Sequence, residues 1–108
     1  MMLFRKKKKV NRDYSDKDLI RRHYHFFGIV QGVGFRFTAA MAAESLNLTG
    51  WIRNEDDGSV TMEIQGKDYE IDEVLKAIND SRYIRIERTD CDNIPIRTDE
   101  SSFDCYYY

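Results

Sequence analysis

The stretch His23–Val30 is rich in aromatic and β-branched residues, a composition typical of a β-strand. Successive side chains of a strand point to opposite faces, so every second residue from Tyr24 onward falls on one face. The preceding residues, 1–20, are dominated by charge and show neither a strand period nor a helix period. The pattern therefore predicts a folded domain over residues 21–108, preceded by a mobile extension or a weakly docked arm.

A helical pattern follows the first strand. Phe35, Ala39, Ala42 and Leu46 stand at i, i+4, i+7 and i+11, which places them on one stripe of an α-helix. The alanines keep this stripe thin, so the helix can lie close to a sheet. Asn47 is well placed to end the helix, because asparagine tolerates the left-handed backbone conformation found at many helix C-termini.

The next segment has the pattern of a β-hairpin. A short strand is predicted over Leu48–Asn54, and Glu55–Gly58 then supplies turn residues that include an Asp-Gly pair. From Val60 to Gly66, apolar and polar residues alternate with the period of a half-buried strand. The two strands are therefore expected to pair.

The clearest helical pattern of the chain follows this hairpin. Ile71, Val74, Leu75 and Ile78 stand at i, i+3, i+4 and i+7, and Asp68 is placed to cap the N-terminus. This spacing predicts a second amphipathic helix.

Two further strands complete the pattern, at Tyr83–Thr89 and Ser102–Tyr107, with a loop containing Pro95 between them. The order of elements is then β-α-β-β-α-β with a terminal strand. This order is typical of the split βαβ arrangement, in which an antiparallel sheet carries both helices on one face. We expect an α+β fold of this type.

Charge divides the chain into two unequal parts. The 108 residues, 42% of them apolar, fit one domain with one core, and their formal charge is −2. The first 22 residues contain nine basic and three acidic residues, a net charge of +6, whereas the rest contains 8 basic and 16 acidic residues, a net charge of −8. A basic tail with the run Lys6–Lys9 thus precedes an acidic body.

The composition excludes several classes of protein. No apolar run approaches the ~18 residues of a membrane-spanning helix, and the first residues lack the apolar region of a secretory signal. We therefore expect a cytoplasmic protein without membrane insertion, and a monomer by default. Cys91 and Cys105 form no C-x-x-C motif and are expected to be reduced, packed thiols. His23 and His25 have a spacing that metals can use, but no third ligand stands nearby, so we expect no metal and no cofactor.

The loop between the first strand and the first helix carries the most chemical information. It reads Gln31-Gly32-Val33-Gly34, and its glycines allow backbone conformations that other residues avoid. Several unpaired backbone N–H groups meet at a helix N-terminus, where the helix dipole adds about half a positive charge. With Arg36 beside it, this loop has the main groups of a phosphate-binding site. Such glycine pairs are, however, also common in turns that bind nothing. A dinucleotide site is excluded, because no third glycine has the required spacing.

Two longer segments make the pattern more specific. Gly28–Arg36, and Gly50–Asn54 followed by Asp57–Val60, closely resemble the two signature segments of the acylphosphatase family, in the same order and at the same spacing. The resemblance covers residues 21–108. It implies a ferredoxin-like α/β sandwich and the hydrolysis of acyl phosphates to a carboxylate and inorganic phosphate.

The resemblance also implies roles for individual residues. By position, the phosphate-binding arginine of the family falls on Arg36, and its water-orienting asparagine falls on Asn54. An acyl phosphate is already activated, so charge stabilisation and a placed water matter more than a strong base, and neither metal nor cofactor is implied. The phosphate would be held by the backbone N–H groups of Gln31, Gly32, Val33, Gly34, Phe35 and Arg36.

The sequence departs from the family pattern at two places. Asn47 replaces a glycine at the end of the first helix, and the acidic turn 55–57 beside Asn54 is expected to slow the approach of an anionic substrate.

The sequence also leaves two other functions open. One is a phosphate-binding or interaction module without catalysis. The other is weak nucleic-acid binding through the basic tail. Specific nucleic-acid binding is not expected, because the body is acidic.

Overall fold

The computed structural model describes residues 9–106, which form five strands and two helices in the predicted order. Lys6, Lys7 and Lys8 of the basic run, and Tyr107 of the last predicted strand, lie outside the described residues. The elements are β1 (Leu19–Ile29), α1 (Phe35–Ser45), β2 (Thr49–Asn54), β3 (Val60–Lys67), α2 (Asp68–Asp80), β4 (Arg85–Ile94) and β5 (Phe103–Cys105).

The strands form one sheet in the order β4-β1-β3-β2-β5. Strands β1 to β4 pair with one another in the antiparallel orientation expected for the split βαβ arrangement, and the additional C-terminal strand β5 pairs with β2 in the parallel orientation. The cause is the path of the chain after β4. Ile94 is opposite Arg21, at the end of the sheet where β2 begins, and Arg97 already bonds to Gln65 of β3 there. The chain crosses at this end, so β5 enters beside the start of β2.

Both helices pack on one face of the sheet, and the α+β, ferredoxin-like fold expected from the sequence is confirmed. Tyr24 and Phe26 of β1 are buried on that face, as predicted. On α1, the fully buried alanines are Ala39, Ala40 and Ala43, whereas the predicted stripe residues Ala42 and Leu46 are only partly buried. The buried stripe is shifted because α1 packs against α2 as well as against β2 and β5.

Residues next to the helix termini determine where α1 ends and where α2 begins. Asn47 adopts the left-handed conformation with a φ of 58°, as its position predicts. The N-cap of α2 is Lys67, so the prediction of Asp68 is wrong by one residue. The carboxylate of Glu70 accepts a hydrogen bond of 2.8 Å from the Lys67 N–H and satisfies one donor that the helix leaves open.

The structure extends the ordered chain beyond the predicted N-terminal boundary. β1 begins at Leu19, two residues before Arg21, because it pairs with β3 from that point. The preceding residues 9–18 lie against the body, where Val10 is 7% exposed and its N–H donates a 2.7 Å hydrogen bond to the Ser101 carbonyl.

The two cysteines have different environments. Cys105 is buried in β5, but Cys91 is exposed, so the prediction of a packed thiol is wrong there. Cys91 lies on β4, an edge strand that is mostly exposed. Over residues 9–106, no helix is long and apolar enough to cross a membrane.

Candidate active site

The glycine loop joins the end of β1 to the start of α1. Gly32 and Gly34 have φ values of 74° and 78°, in the left-handed region that favours glycine. A Cβ atom at either position would meet nothing within 4 Å, so the backbone conformation, not crowding, requires glycine. Two left-handed residues in a four-residue loop bend the chain sharply, and successive N–H groups in such a bend form a concave anion site.

The same loop leaves the N-terminus of α1 without neutralising groups. Gly34 is the N-cap and has no side chain with which to cap the helix. The first turn of α1 contains no acidic residue, and Arg36 lies in it. The positive end of the helix dipole and the Arg36 guanidinium therefore lie close together, and helix N-termini of this kind often bind anions in proteins.

Side chains on both sides of the loop hold it against the core. Val30 is 1% exposed before the glycines, and Phe35 is 2% exposed after them. Val33 is partly buried against the same core. The loop is thus anchored at three points while its glycines stay at the surface.

Arg36 is held by the segment that follows β5. Its Nη1 donates a hydrogen bond of 2.5 Å to the main-chain carbonyl of Tyr106. Tyr106 is positioned in turn by its own N–H, which donates 2.9 Å to the carbonyl of Ile52 in β2. The sequence pattern contained no signal for this contact, because Arg36 and Tyr106 are 70 residues apart.

Asn54 is the last residue of β2 and pairs with Val60 of β3. The turn beyond it is fixed by local hydrogen bonds. The Glu55 N–H donates to the Ser59 carbonyl at 2.8 Å, and the Asp57 carboxylate accepts from the Ser59 N–H at 2.9 Å. This turn therefore holds Asn54 at the end of the sheet where the glycine loop begins.

Gln31 joins these two structures. Its side-chain Nε2 donates hydrogen bonds of 2.7 Å to the Glu55 carbonyl and 2.9 Å to the Ser59 carbonyl. The sequence predicts a role only for the backbone N–H of this residue. The side chain fixes the distance between the glycine loop and the turn that follows Asn54.

Two cavities open at this point of the molecule. The larger has a volume of about 530 Å³ and the smaller about 190 Å³. Arg36 and Asn54 line both, so the structure brings together the two residues singled out from the sequence. The larger cavity is lined by Gln31, Arg36, Arg53, Asn54, Glu55 and Asp56. The smaller is lined by Val30, Gly32, Gly34, Phe35, Arg36, Phe37 and Asn54.

Carboxylates beside the site are held in the ionised form. The Glu55 carboxylate accepts a 2.9 Å hydrogen bond from Arg53 Nε. A hydrogen bond from Thr61 and the one from Arg53 lower the pKa of Glu55 below its ordinary value, against the opposing effect of burial. The hydrogen bonds from the side chain and backbone of Ser59 lower the pKa of Asp57 in the same way.

The two histidines of β1 have ordinary side-chain partners. Nδ1 of His23 lies 2.8 Å from a carboxylate oxygen of Glu63, and Nε2 of His25 lies 2.6 Å from the Ser59 hydroxyl. Between residues 9 and 106, no three His, Cys, Asp or Glu side chains are grouped as a metal site would require.

Comparison with known proteins places the chain in a family. A sequence model of the family described as acylphosphatase matches residues 22–105. An acylphosphatase of Oceanobacillus iheyensis is 37% identical in an alignment of 82 positions that covers 74% of this chain and 90% of that protein. The crystal structure of acylphosphatase from Bacillus subtilis is similar with a TM-score of 0.73 and 27% identity, over 82% of this chain and 99% of that one. The structure of an acylphosphatase from Coxiella burnetii gives a TM-score of 0.75 and 27% identity, over 84% and 96% of the two chains. The chain therefore belongs to the acylphosphatase family and is a hydrolase.

Proposed function

We propose that this enzyme hydrolyses acyl phosphates to a carboxylate and inorganic phosphate without a metal, using Arg36 and Asn54. The observation that carries the proposal is that these two residues, from α1 and β2, line the same pair of cavities as the glycine loop. An acyl phosphate needs little chemical activation, because its leaving group is a stable carboxylate. A site that binds the phosphoryl group and places a water molecule is therefore sufficient.

The phosphoryl group binds at the glycine loop in this mechanism. The backbone N–H groups from Gln31 to Arg36 donate hydrogen bonds to its oxygens, and the end of the helix dipole adds positive potential. The Arg36 guanidinium supplies paired donors to two oxygens. These donors are fixed before the substrate arrives, so they stabilise the charge of the transition state without reorganisation.

The side-chain amide of Asn54 orients the attacking water. The water oxygen forms a bond to phosphorus while the bond between phosphorus and the acyl oxygen breaks, and the electron pair of that bond leaves with the carboxylate. A proton of the water passes to a phosphoryl oxygen, so no side chain acts as a general base. This route is consistent with a cavity lining of amide, guanidinium and carboxylate groups.

The experiment is hydrolysis of benzoyl phosphate by the wild type and two variants. Arg36→Ala is expected to abolish measurable turnover, mainly through lost phosphate binding. Asn54→Ala is expected to lower kcat by about 100-fold or more while inorganic phosphate still inhibits at a similar concentration. Arg82→Ala and Asn79→Ala, at exposed positions that line neither cavity, serve as matched controls with wild-type rates.

Two outcomes contradict the proposal. Turnover at the wild-type rate by either site variant would remove that residue from the mechanism. Wild-type protein that binds phosphate but leaves benzoyl phosphate intact would identify a phosphate-binding module without catalysis.

We further propose that the protein acts as a cytoplasmic monomer. Arg36 and Asn54, the two residues that the proposed mechanism uses, belong to one chain and line the same cavities, so the mechanism calls for no residue of a partner. Cys91 and Cys105 are free, and the exposed thiol of Cys91 suits a reducing compartment. Light scattering that gave a stable dimer at assay concentration would contradict the monomer, and a disulfide formed by Cys91 in cells would contradict the compartment.

A further inference from the structure

The larger cavity at the active site has charged walls beyond the phosphate-binding groups. We infer that it receives the acyl group and selects uncharged or cationic acyl groups over anionic ones. This inference rests on the proposed function, because it concerns the part of the substrate that remains after the phosphoryl group has been bound.

The volumes assign the two ends of the substrate to the two cavities. The glycines of the phosphate loop line only the smaller cavity, which has about 190 Å³ and is closed underneath by the buried side chains of Val30 and Phe35. The larger cavity has about 530 Å³, within the roughly 300–1,000 Å³ that is usual for small-molecule sites. With the phosphoryl group in the loop, an acyl group that passes Arg36 and Asn54 enters the larger cavity.

The charges of that cavity do not balance once phosphate is bound. The positive charge of Arg36 is directed at the phosphoryl group. Arg53 is paired with Glu55 at 2.9 Å, so these two side chains neutralise each other. Asp56 takes part in no ion pair within residues 9–106. The wall that faces the acyl group therefore carries a net charge of about −1 at neutral pH.

A net negative wall defines a substrate class. It repels acyl groups that carry a second carboxylate or phosphate, and it attracts acyl groups that carry an ammonium group. The substrates favoured by this chemistry are acyl phosphates of monocarboxylic acids, above all those of amino acids whose amino group reaches the cavity. The acidic turn therefore acts as a filter on the acyl group, rather than only as a barrier to the phosphoryl group.

The test uses three substrates that share the benzoyl phosphate group and differ in the charge of one substituent. They are benzoyl phosphates with an aminomethyl, a methyl or a carboxymethyl group in the para position, whose methylene insulates the anhydride from the charged group. At about 0.01 M ionic strength we expect kcat/KM to be about tenfold higher for the aminomethyl than for the carboxymethyl substrate, with the methyl substrate between them. The ratio should fall toward one at about 1 M salt, where the Debye length is only ~3 Å.

Variants connect the selectivity to particular side chains. Asp56→Asn should reduce the tenfold ratio to about threefold or less, and Glu55→Gln combined with Asp56→Asn should invert it, because no carboxylate of the cavity lining then offsets the positive charge of Arg53. Glu73→Gln removes an exposed carboxylate of α2 that lines neither cavity, and it should leave the ratio unchanged. Phe37→Ala removes the exposed aromatic side chain that lines the smaller cavity. This variant tests whether the acyl group lies on the Phe37 side of the bound phosphoryl group instead of in the larger cavity.

The outcomes separate this inference from the proposed function. Hydrolysis of all three substrates at equal rates, or a ratio that responds to Phe37→Ala and not to Asp56→Asn, overturns the inference and leaves acyl phosphate hydrolysis in place. No hydrolysis of the neutral methyl substrate overturns both. A salt-sensitive preference for the aminomethyl substrate that Asp56→Asn removes supports the inference.

Discussion

The side-chain amide of Gln31 donates a hydrogen bond of 2.7 Å to the main-chain carbonyl of Glu55. This contact links the first residue of the phosphate loop to the residue that follows Asn54. The same Nε2 also donates to the Ser59 carbonyl at 2.9 Å, so one side chain holds the whole turn. The phosphate-binding and water-orienting parts of the proposed site are therefore built as one rigid unit.

Removing this link should reduce catalysis as well as stability. We expect Gln31→Met to lower kcat for benzoyl phosphate by about tenfold, because a displacement of the turn misplaces Asn54. Gln65→Met is a control distant from the site, since Gln65 also makes two side-chain hydrogen bonds to main-chain groups, both of them on Arg97, and in addition accepts a 3.3 Å hydrogen bond from Arg21 Nη1. Each variant should lose about 1–3 kcal/mol of unfolding free energy in urea. Equal kcat values for the two variants would show that Gln31 has only a structural role.

The left-handed glycine at the start of α1 should be needed for phosphate binding. Gly34→Ala places a Cβ on a residue with a φ of 78°, which costs about 1–2 kcal/mol or shifts the loop. We expect weaker competitive inhibition by inorganic phosphate and lower kcat/KM for this variant. Asn47→Gly is the matched control at the end of the same helix, where φ is 58°, and it should keep wild-type activity with equal or greater stability. Unchanged phosphate inhibition in Gly34→Ala would contradict the proposed cradle.

Local patterns were sufficient for the elements and for Arg36 beside the glycine loop, whereas Asn54 was identified through the resemblance to the acylphosphatase family. Hydrophobic periodicity identifies each strand and helix, and the glycine loop marks the site, because both depend on neighbours in sequence. The direction of β5, the Tyr106 carbonyl beside Arg36 and the Gln31 bridge depend on where distant segments meet. Periodicity contains no information on such pairings. The exposure of Cys91 was missed for the same reason, since the sequence does not identify β4 as an edge strand.

A partly buried charge cluster on the face of the sheet opposite the helices should make stability sensitive to acid. Glu63 accepts hydrogen bonds from the fully buried Arg21 at 3.0 and 3.1 Å and contacts His23 at 2.8 Å. Burial by itself would raise the pKa of Glu63, but the hydrogen bonds from His23 and Arg21 outweigh it, so the pKa lies below its ordinary value of 4.5. A carboxylate with a lowered pKa stabilises the fold fully above its unfolded value, and this contribution is lost as the pH falls through the folded value.

The expected result is a steep loss of stability in acid that depends on Glu63. The urea midpoint of the wild type should fall between about pH 5 and about pH 3, and Glu63→Gln should be less stable at neutral pH with a shallower fall. Glu73→Gln, at an exposed position of α2, should keep the wild-type profile. A Glu63→Gln profile parallel to that of the wild type would show that other carboxylates cause the acid sensitivity.

The N-terminal arm should contribute to stability without contributing to catalysis. Arg12 donates to the main-chain carbonyls of Leu46 and Asn47 at 3.4 and 3.2 Å, and its Nη2 pairs with the Glu70 carboxylate at 2.5 Å. One guanidinium thus connects the C-terminal end of α1, where carbonyls lack helical partners, to the first turn of α2. We expect Arg12→Met to lower the unfolding free energy by about 1–3 kcal/mol with unchanged kcat/KM, because bonds to a charged group are lost. Lys17→Met, an exposed basic residue of the same arm, should have no effect on either quantity. If both variants unfold at the wild-type urea concentration, the arm contributes nothing to the stability of the fold. If Arg12→Met lowers kcat/KM, the arm acts on the site as well.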